Sequence, residues 1–249
     1  MKGLIVKDFY CLKKQLTAYT FVIIGVVAVA IMFVLSGRYG NLRISVSGME
    51  EAGFDIAAVV KIAVMFFMIL PLVSTGDISN LFVYDKNASF YKVGASFPFS
   101  VKKRVLSKFL TVLMFLAAGL VIDILMSAVM SAVSDIILFS KSIGTLASIT
   151  ACMVIFTSLI IMLNYAGISP SYSTALPIVA AAVLFFIVKI KDIKKAITND
   201  DFASFSAFFH NLINAFENKP YYFIIAAAGV AAVCYFLSVF FADKKRGVA

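Results

Sequence analysis

The side chains that could carry out chemistry in this chain are few and scattered. The one histidine, His210, lies in no metal-binding motif, and the three cysteines lack the close spacing of zinc sites or disulfide frameworks. The adjacent acids Glu50 and Glu51 have no motif with a catalytic partner beside them, and the phosphate-binding sequence GxxxxGK[ST] is absent. The sequence therefore favours no enzyme and predicts no metal, cofactor or nucleotide bound by this chain.

One acidic residue is notable for its position. Asp123 lies midway along an apolar run, where a carboxylate is costly unless it faces a protein interior or a water path. Two interpretations stay open. Asp123 belongs to a translocation or proton pathway, or it is a structural carboxylate that hydroxyl groups of a neighbouring helix hydrogen-bond.

Polar and aromatic residues are concentrated between the second and third apolar runs, at 77–108. Six of the chain's 22 Lys and Arg residues lie there, and positive charge beside a membrane segment marks the cytoplasmic side. Pro98 ends any helix that arrives from the N-terminal side, and Ser100 is a suitable N-cap for the helix that follows. This interval predicts a docking surface rather than a simple connection.

Composition sets the environment of these residues. The chain is 62% hydrophobic and 14% charged, whereas globular proteins are about 45–50% apolar and about 25% charged. Lipid must cover part of such a chain, so we predict an all-α integral membrane protein. The net charge of +9 lies mainly between the apolar runs, which indicates contact with membrane lipid and no nucleic-acid partner.

About 20 apolar residues cross a bilayer as a helix, and by that length the sequence predicts six spans within a single transmembrane domain, 1–249. Lys141 and Lys189 enclose an uncharged stretch that is long enough for two spans, and Gly167 and Pro170 supply the break between them. The predicted spans are 17–36, 56–75, 109–133, 143–164, 174–188 and 221–242.

Two further segments have the pattern of interfacial helices. At the N-terminus, Ile5, Phe9, Leu12 and Leu16 recur at helical spacing, and between the last two spans a second apolar stripe ends at Phe216. The distribution of basic residues favours both termini in the cytoplasm, although a lysine cluster at 189–195 then lies outside. The second interfacial helix is accordingly expected on the outer face.

The interval after the second span resembles the cytoplasmic loop of small permeases of the ABC-2 exporter family. That loop carries an acid–lysine pair, an aromatic pair, a Ser-Leu-Pro-x-Ser-Arg-Lys-like element and a Ser-Lys-Tyr entry into the third span. The matching stretches here are 85–86, 90–91, 96–103 and 107–109, and the N-terminal 1–9 is similar to the family's interface helix. Phe97, Val101 and Arg104 depart from the usual residues of the element.

The resemblance implies a permease that has no nucleotide site of its own. It implies a separate cytosolic ATPase subunit that binds ATP and Mg²⁺, a second permease copy or sister permease, and a place in the plasma membrane. It also implies that the loop is a coupling helix that contacts the ATPase. The residues expected to carry that role are Tyr84, Asp85, Lys86, Phe90, Tyr91, Phe97, Pro98, Ser100, Lys102 and Lys103.

The function expected from these observations is outward transport of a hydrophobic or amphipathic substrate, with peptide as one candidate. The alternative is a membrane protein that acts alone, such as a self-immunity protein or a proton-linked carrier that uses Asp123.

Overall fold

The computed structural model describes residues 2–39, 79–87, 100–133, 139–183 and 216–246, and the regular structure in these ranges is α-helical throughout. We number the helices along the chain, and a single helical turn at 216–218 precedes the last of them. The helices are α1 Lys2–Tyr39, α2 Ser79–Asn87, α3 Val101–Val133, α4 Phe139–Ala166, α5 Pro170–Val183 and α6 Pro220–Arg246.

Three of these helices, α3, α4 and α6, are long and apolar enough to cross a membrane. The two parts of α1, Lys2–Lys13 and Thr17–Val29, meet the same criterion when taken together, with a bend of 64° between them. The chain is therefore a multi-pass membrane protein. The predicted spans 17–36, 109–133, 143–164 and 221–242 lie within α1, α3, α4 and α6.

The remaining predicted segments are described only in part. The span at 56–75 lies outside the described residues, and so does the outer interfacial helix except for its last residue, Phe216. Helix α5, at the place of the predicted fifth span, begins at Pro170, four residues before the predicted boundary, and is described only to Val183, which makes it shorter than the helices that meet the length for crossing a membrane. The last residues of that predicted span, 184–188, are outside the described part.

The turn between α4 and α5 follows from its glycine. Gly167 has a φ of 106°, in the left-handed region that favours glycine. The Gly167 amide donates to the Asn164 carbonyl at 3.1 Å, and the Ile168 amide donates to the Leu163 carbonyl at 3.1 Å, which is the Schellman pattern of a helix end. The Asn164 side chain then donates to Ser173 Oγ at 2.7 Å and fixes α5 against α4.

The helices pack as a bundle in which α4 and α6 have the largest shared surface. Helix α3 packs on both of them, and α1 packs on α3. Aromatic contacts set the direction of the bundle: Phe9 lies 4.8 Å from Phe115, and Phe109 lies 5.8 Å from Tyr235, between ring centroids. The starts of α1 and α3 and the end of α6 therefore meet at one end of the bundle, which we call the loop end.

Hydroxyl residues on α3 and α4 mostly bond within their own helices. Thr145 donates to the Lys141 carbonyl, Thr150 donates to the Leu146 carbonyl and Ser131 donates to the Ala128 carbonyl. A hydroxyl that is satisfied by its own backbone can lie on an apolar helix surface at little cost. This pattern supports close helix packing as the role of these residues.

A close backbone approach lies at the opposite end of the bundle, between α4 and the turn at 216–218. A Cβ atom on Gly144 would fall on the Glu217 carbonyl oxygen, so only glycine fits there. Ser148 Oγ lies 2.9 Å from the Phe216 carbonyl oxygen, and Lys141 lies 3.9 Å from the buried Glu217 carboxylate. These contacts hold the start of α6 against the first turns of α4.

Gly144→Ala is expected to destabilise the protein by about 1–3 kcal/mol, because the added methyl group forces the backbone at 217 away from α4. Gly229→Ala is the matched control, since nothing lies within 4 Å of a Cβ at that helical position. The control should be neutral, or more stable by up to about 1 kcal/mol through helix propensity. Unfolding of both variants in detergent measures the difference, and equal stabilities would contradict the close approach.

Candidate functional site

Helix α2 carries the candidate site and is anchored by its first turns. Leu81 and Phe82 are 0% and 1% exposed. The Phe82 ring meets Tyr165, near the end of α4, edge to face at a centroid distance of 6.2 Å. Lys108 Nζ lies 5.8 Å from the centroid of the same Phe82 ring. Helix α2 is thus seated at the loop end, where it touches elements that lie far apart in the sequence.

Four charged side chains join three helices at this place, and we call them the ionic cluster: Lys7 and Asp8 of α1, Asp85 of α2 and Lys108 of α3. Lys7 Nζ lies 2.6 Å from Asp85 Oδ1 and 3.1 Å from Asp8 Oδ1. Lys108 Nζ lies 2.8 Å from Asp8 Oδ1 and 2.5 Å from Asp85 Oδ2. Each lysine therefore bridges both carboxylates.

The ionic cluster is buried and electrically balanced. Asp8, Asp85 and Lys108 are 1%, 3% and 5% exposed, while a quarter of the Lys7 side chain reaches the surface. Charges removed from water require opposite charges and hydrogen bonds close by. The two ammonium groups balance the two carboxylates and contact three of their four oxygens, while Asp8 Oδ2 has no hydrogen-bond partner in the described part of the chain. The three helices therefore bury these side chains as a set.

Local helix geometry places the cluster members. Leu4, Asp8 and Leu12 recur every four residues along α1 and form its most buried face in the described part. On α3, Val101, Val105 and Lys108 continue into the apolar core along one face. Asp8 and Lys108 therefore occupy positions that a purely apolar stripe would give to leucine.

Lys7 keeps its charge in this setting. Burial lowers the pKa of Lys7, but the hydrogen bond to Asp85 and the charges of Asp8 and Asp85 outweigh burial and raise the pKa above its ordinary value of 10.5. The contribution of Lys7 to stability is complete from neutral pH up to that ordinary value. It is lost only as the pH rises through the higher pKa of the folded state.

The loop residues singled out in the sequence are partly described. Asp85 lies in the ionic cluster, whereas Tyr84 and Lys86 of α2 are exposed, as are Lys102 and Lys103 on the first turn of α3. Ser100 caps α3, because its carbonyl accepts from the Lys103 amide at 3.0 Å and its Oγ lies 3.4 Å from the same amide. Outside the described residues lie Phe90, Tyr91, Phe97 and Pro98.

Asp123 belongs to a different region of the bundle. It is 0% exposed and lies on the same buried face of α3 as Lys108, about 22 Å further along the axis at a rise of about 1.5 Å per residue. Ser127, one turn beyond it, is also 0% exposed. The carboxylate thus faces the protein interior rather than lipid, which fits a structural role and a pathway role alike.

Sequence reasoning did not single out Asp8. The predicted apolar stripe of α1 included Leu12, which is buried, and Ile5 and Phe9, which are half-buried. The most buried face runs through Leu4, Asp8 and Leu12. An available signal was a lone acid within an apolar and basic segment. Its partner could not be read from the sequence, because Asp8 and Lys108 are 100 residues apart.

The apolar helices with a polar junction at one end define a multi-pass membrane protein. Residues 52–245 match the family described as ABC-2 family transporter protein. This match covers most of the chain, and the chain belongs to that family. Its members are membrane components rather than catalytic subunits. No curated protein and no solved structure is significantly similar to the chain.

Lys108→Met is expected to destabilise the protein by about 3–5 kcal/mol, because it leaves two buried carboxylates with Lys7 alone. Lys244→Met makes the same change at an exposed position of α6 and should alter stability by less than about 0.5 kcal/mol. Denaturant unfolding of the two variants in one detergent is the measurement. A loss at Lys108 as small as that at Lys244 would contradict the buried cluster.

Proposed function

We propose that this chain is the permease subunit of an ABC-2-type exporter, powered by a separate cytosolic ATPase. The proposal includes six spans within one transmembrane domain, both termini in the cytoplasm, and a plasma-membrane location. Its cargo is a hydrophobic or amphipathic molecule, with peptide as one candidate, and transport is outward. Two permeases, identical or sister chains, form the path together.

The observation that carries the proposal is the seating of α2 at the junction of three helices. An ATPase acting on a membrane subunit needs a cytoplasmic element that is firmly joined to the spans. Helix α2 meets that need, because Phe82 is buried against α4 and Asp85 is ion-paired with α1 and α3. The family match supports transport as the activity.

The exposed residues near α2 fit a docking role in this proposal. Tyr84 is 42% exposed, and Lys86, Lys102 and Lys103 face outward from α2 and α3. These side chains are free to contact another protein, since burial and the ionic cluster engage the other face of the same helices. ATP and Mg²⁺ are bound by the partner ATPase, and closure of two ATPases would pull on two permeases at this surface.

The second candidate is a membrane protein that needs no ATPase and uses Asp123, which is buried midway along α3. Transport or protection would then continue in cells without the partner ATPase. Asp123→Asn, which removes the charge and keeps the shape, would abolish that activity. The exporter proposal requires the opposite dependence, with activity lost whenever the ATPase is absent.

Tyr91→Ala combined with Phe97→Asp is expected to uncouple the two proteins, because it removes aromatic contacts that the proposal gives to the ATPase. ATP-driven transport should fall at least tenfold, because the removal of about 1.4 kcal/mol or more of contact energy weakens ATPase binding at least tenfold. The measurement uses inside-out vesicles that hold permease and ATPase. The ATP-driven uptake of a fluorescent amphipathic peptide is compared with the phosphate released by ATP hydrolysis.

Tyr222→Ala is the matched control, since Tyr222 is 59% exposed at the start of α6, at the far end from the loop. The control should transport as the wild type does. Circular dichroism and unfolding in detergent show whether the loop variant keeps its helices. Wild-type coupling in the folded loop variant would remove the assigned role from this loop.

A further inference from the structure

The ionic cluster has a geometry that the proposed docking role does not require. Docking needs exposed residues on α2, yet Asp85 is turned inward and is 3% exposed. Asp85 is 78 residues from Lys7 in the sequence and shares both lysines with Asp8. A single surface pair would hold α2 more simply, so the four-membered arrangement calls for a different explanation.

Each member of the cluster contacts partners on another helix. Lys108, at the base of α3, binds one carboxylate from α1 and one from α2. Lys7, on α1, reaches across to α2 at 2.6 Å. A displacement of α2 therefore disturbs the charges on both other helices, because the loss of Asp85 leaves two lysines facing a single buried carboxylate.

We propose that Lys7, Asp8, Asp85 and Lys108 form an ionic clamp that makes the start of α1, the loop helix α2 and the base of α3 one rigid unit. This inference rests on the proposed function for its purpose, which is to deliver a motion imposed at the loop to α1 and α3 together. The four side chains are positioning residues, and they act on transport through the helices that they join.

The shared ion pairs favour a rigid clamp rather than a contact in which α2 slides along its neighbours. Each lysine Nζ lies within 3.1 Å of oxygens from both carboxylates, so no member can exchange partners without losing a contact. Phe82 closes one side of the site, with its ring 5.8 Å from Lys108 Nζ, and restricts the access of water to the pairs. Low water access strengthens the attraction between the charges.

The test measures whether α1 and α2 stay together. Spin labels at Gly3→Cys and Asn87→Cys, both exposed positions, report the distance between the two helices in a chain whose native cysteines are replaced. The clamp predicts one narrow distance distribution. The double variant Lys7→Met with Asp85→Asn removes the ionic links to α2 seen here and leaves Lys108 paired with Asp8, so the remaining charges stay balanced.

In the double variant the distance distribution between the two labels should broaden or shift. The control variant, Asp243→Asn with Lys244→Met, makes the same types of change at exposed sites of α6 and should leave the distribution as in the wild type. An unchanged, narrow distribution in the double variant would overturn the clamp.

A functional measurement separates transmission from simple structural support. In vesicles that hold the ATPase, transport of the fluorescent peptide per ATP hydrolysed should fall at least tenfold in the clamp variant, compared with the wild type at an equal amount of bound ATPase. Unaltered transport per ATP would overturn the transmission role. The distance measurement needs no ATPase, so it tests the clamp independently of the proposed function. A wild-type chain that purifies and transports without an ATPase would contradict the proposed function and leave the clamp to be decided by the distances.

Discussion

A buried, balanced set of charges organises the loop end of this protein. Lys7, Asp8, Asp85 and Lys108 come from three helices, and none of them can be buried at low cost without the others. Apolar packing is not directional, so it would not by itself fix the position of α2 on the apolar surface of the bundle. The directional ion pairs select one position, and the buried Phe82 then completes the junction.

The two ends of the bundle are held by different physics. At the loop end, opposite charges fix three helices, and the exposed residues around them remain available to a partner. At the other end, Gly144 of α4 has no side chain, so the backbone of Glu217 packs directly against it. This contact and the hydrogen bond from Ser148 to the Phe216 carbonyl hold the start of α6. Both features hold the described helices in one arrangement.

The sequence predicted the parts of the fold that depend on local composition. Apolar runs of about 20 residues predicted α3, α4 and α6, and Gly167 with Pro170 predicted the turn into α5. Pairing over long distances could not be predicted in this way. Asp8 reads as an interruption of an apolar stripe until Lys108 is found beside it, and nothing near Gly144 in the sequence indicates the approach of residue 217. The loop was recognised from its motif, while the inward direction of Asp85 came only from the structure.

The most direct test of the central claim is to determine which subunits accompany this protein in its native membrane. The tagged chain would be extracted gently from its native cells, and the proteins that accompany it identified and counted. We expect one cytosolic ATPase per permease, with the ATPase lost from the Tyr91→Ala, Phe97→Asp variant and retained by Tyr222→Ala. A single-chain preparation that transports or protects without any ATPase would contradict the account and assign the activity to the region of Asp123.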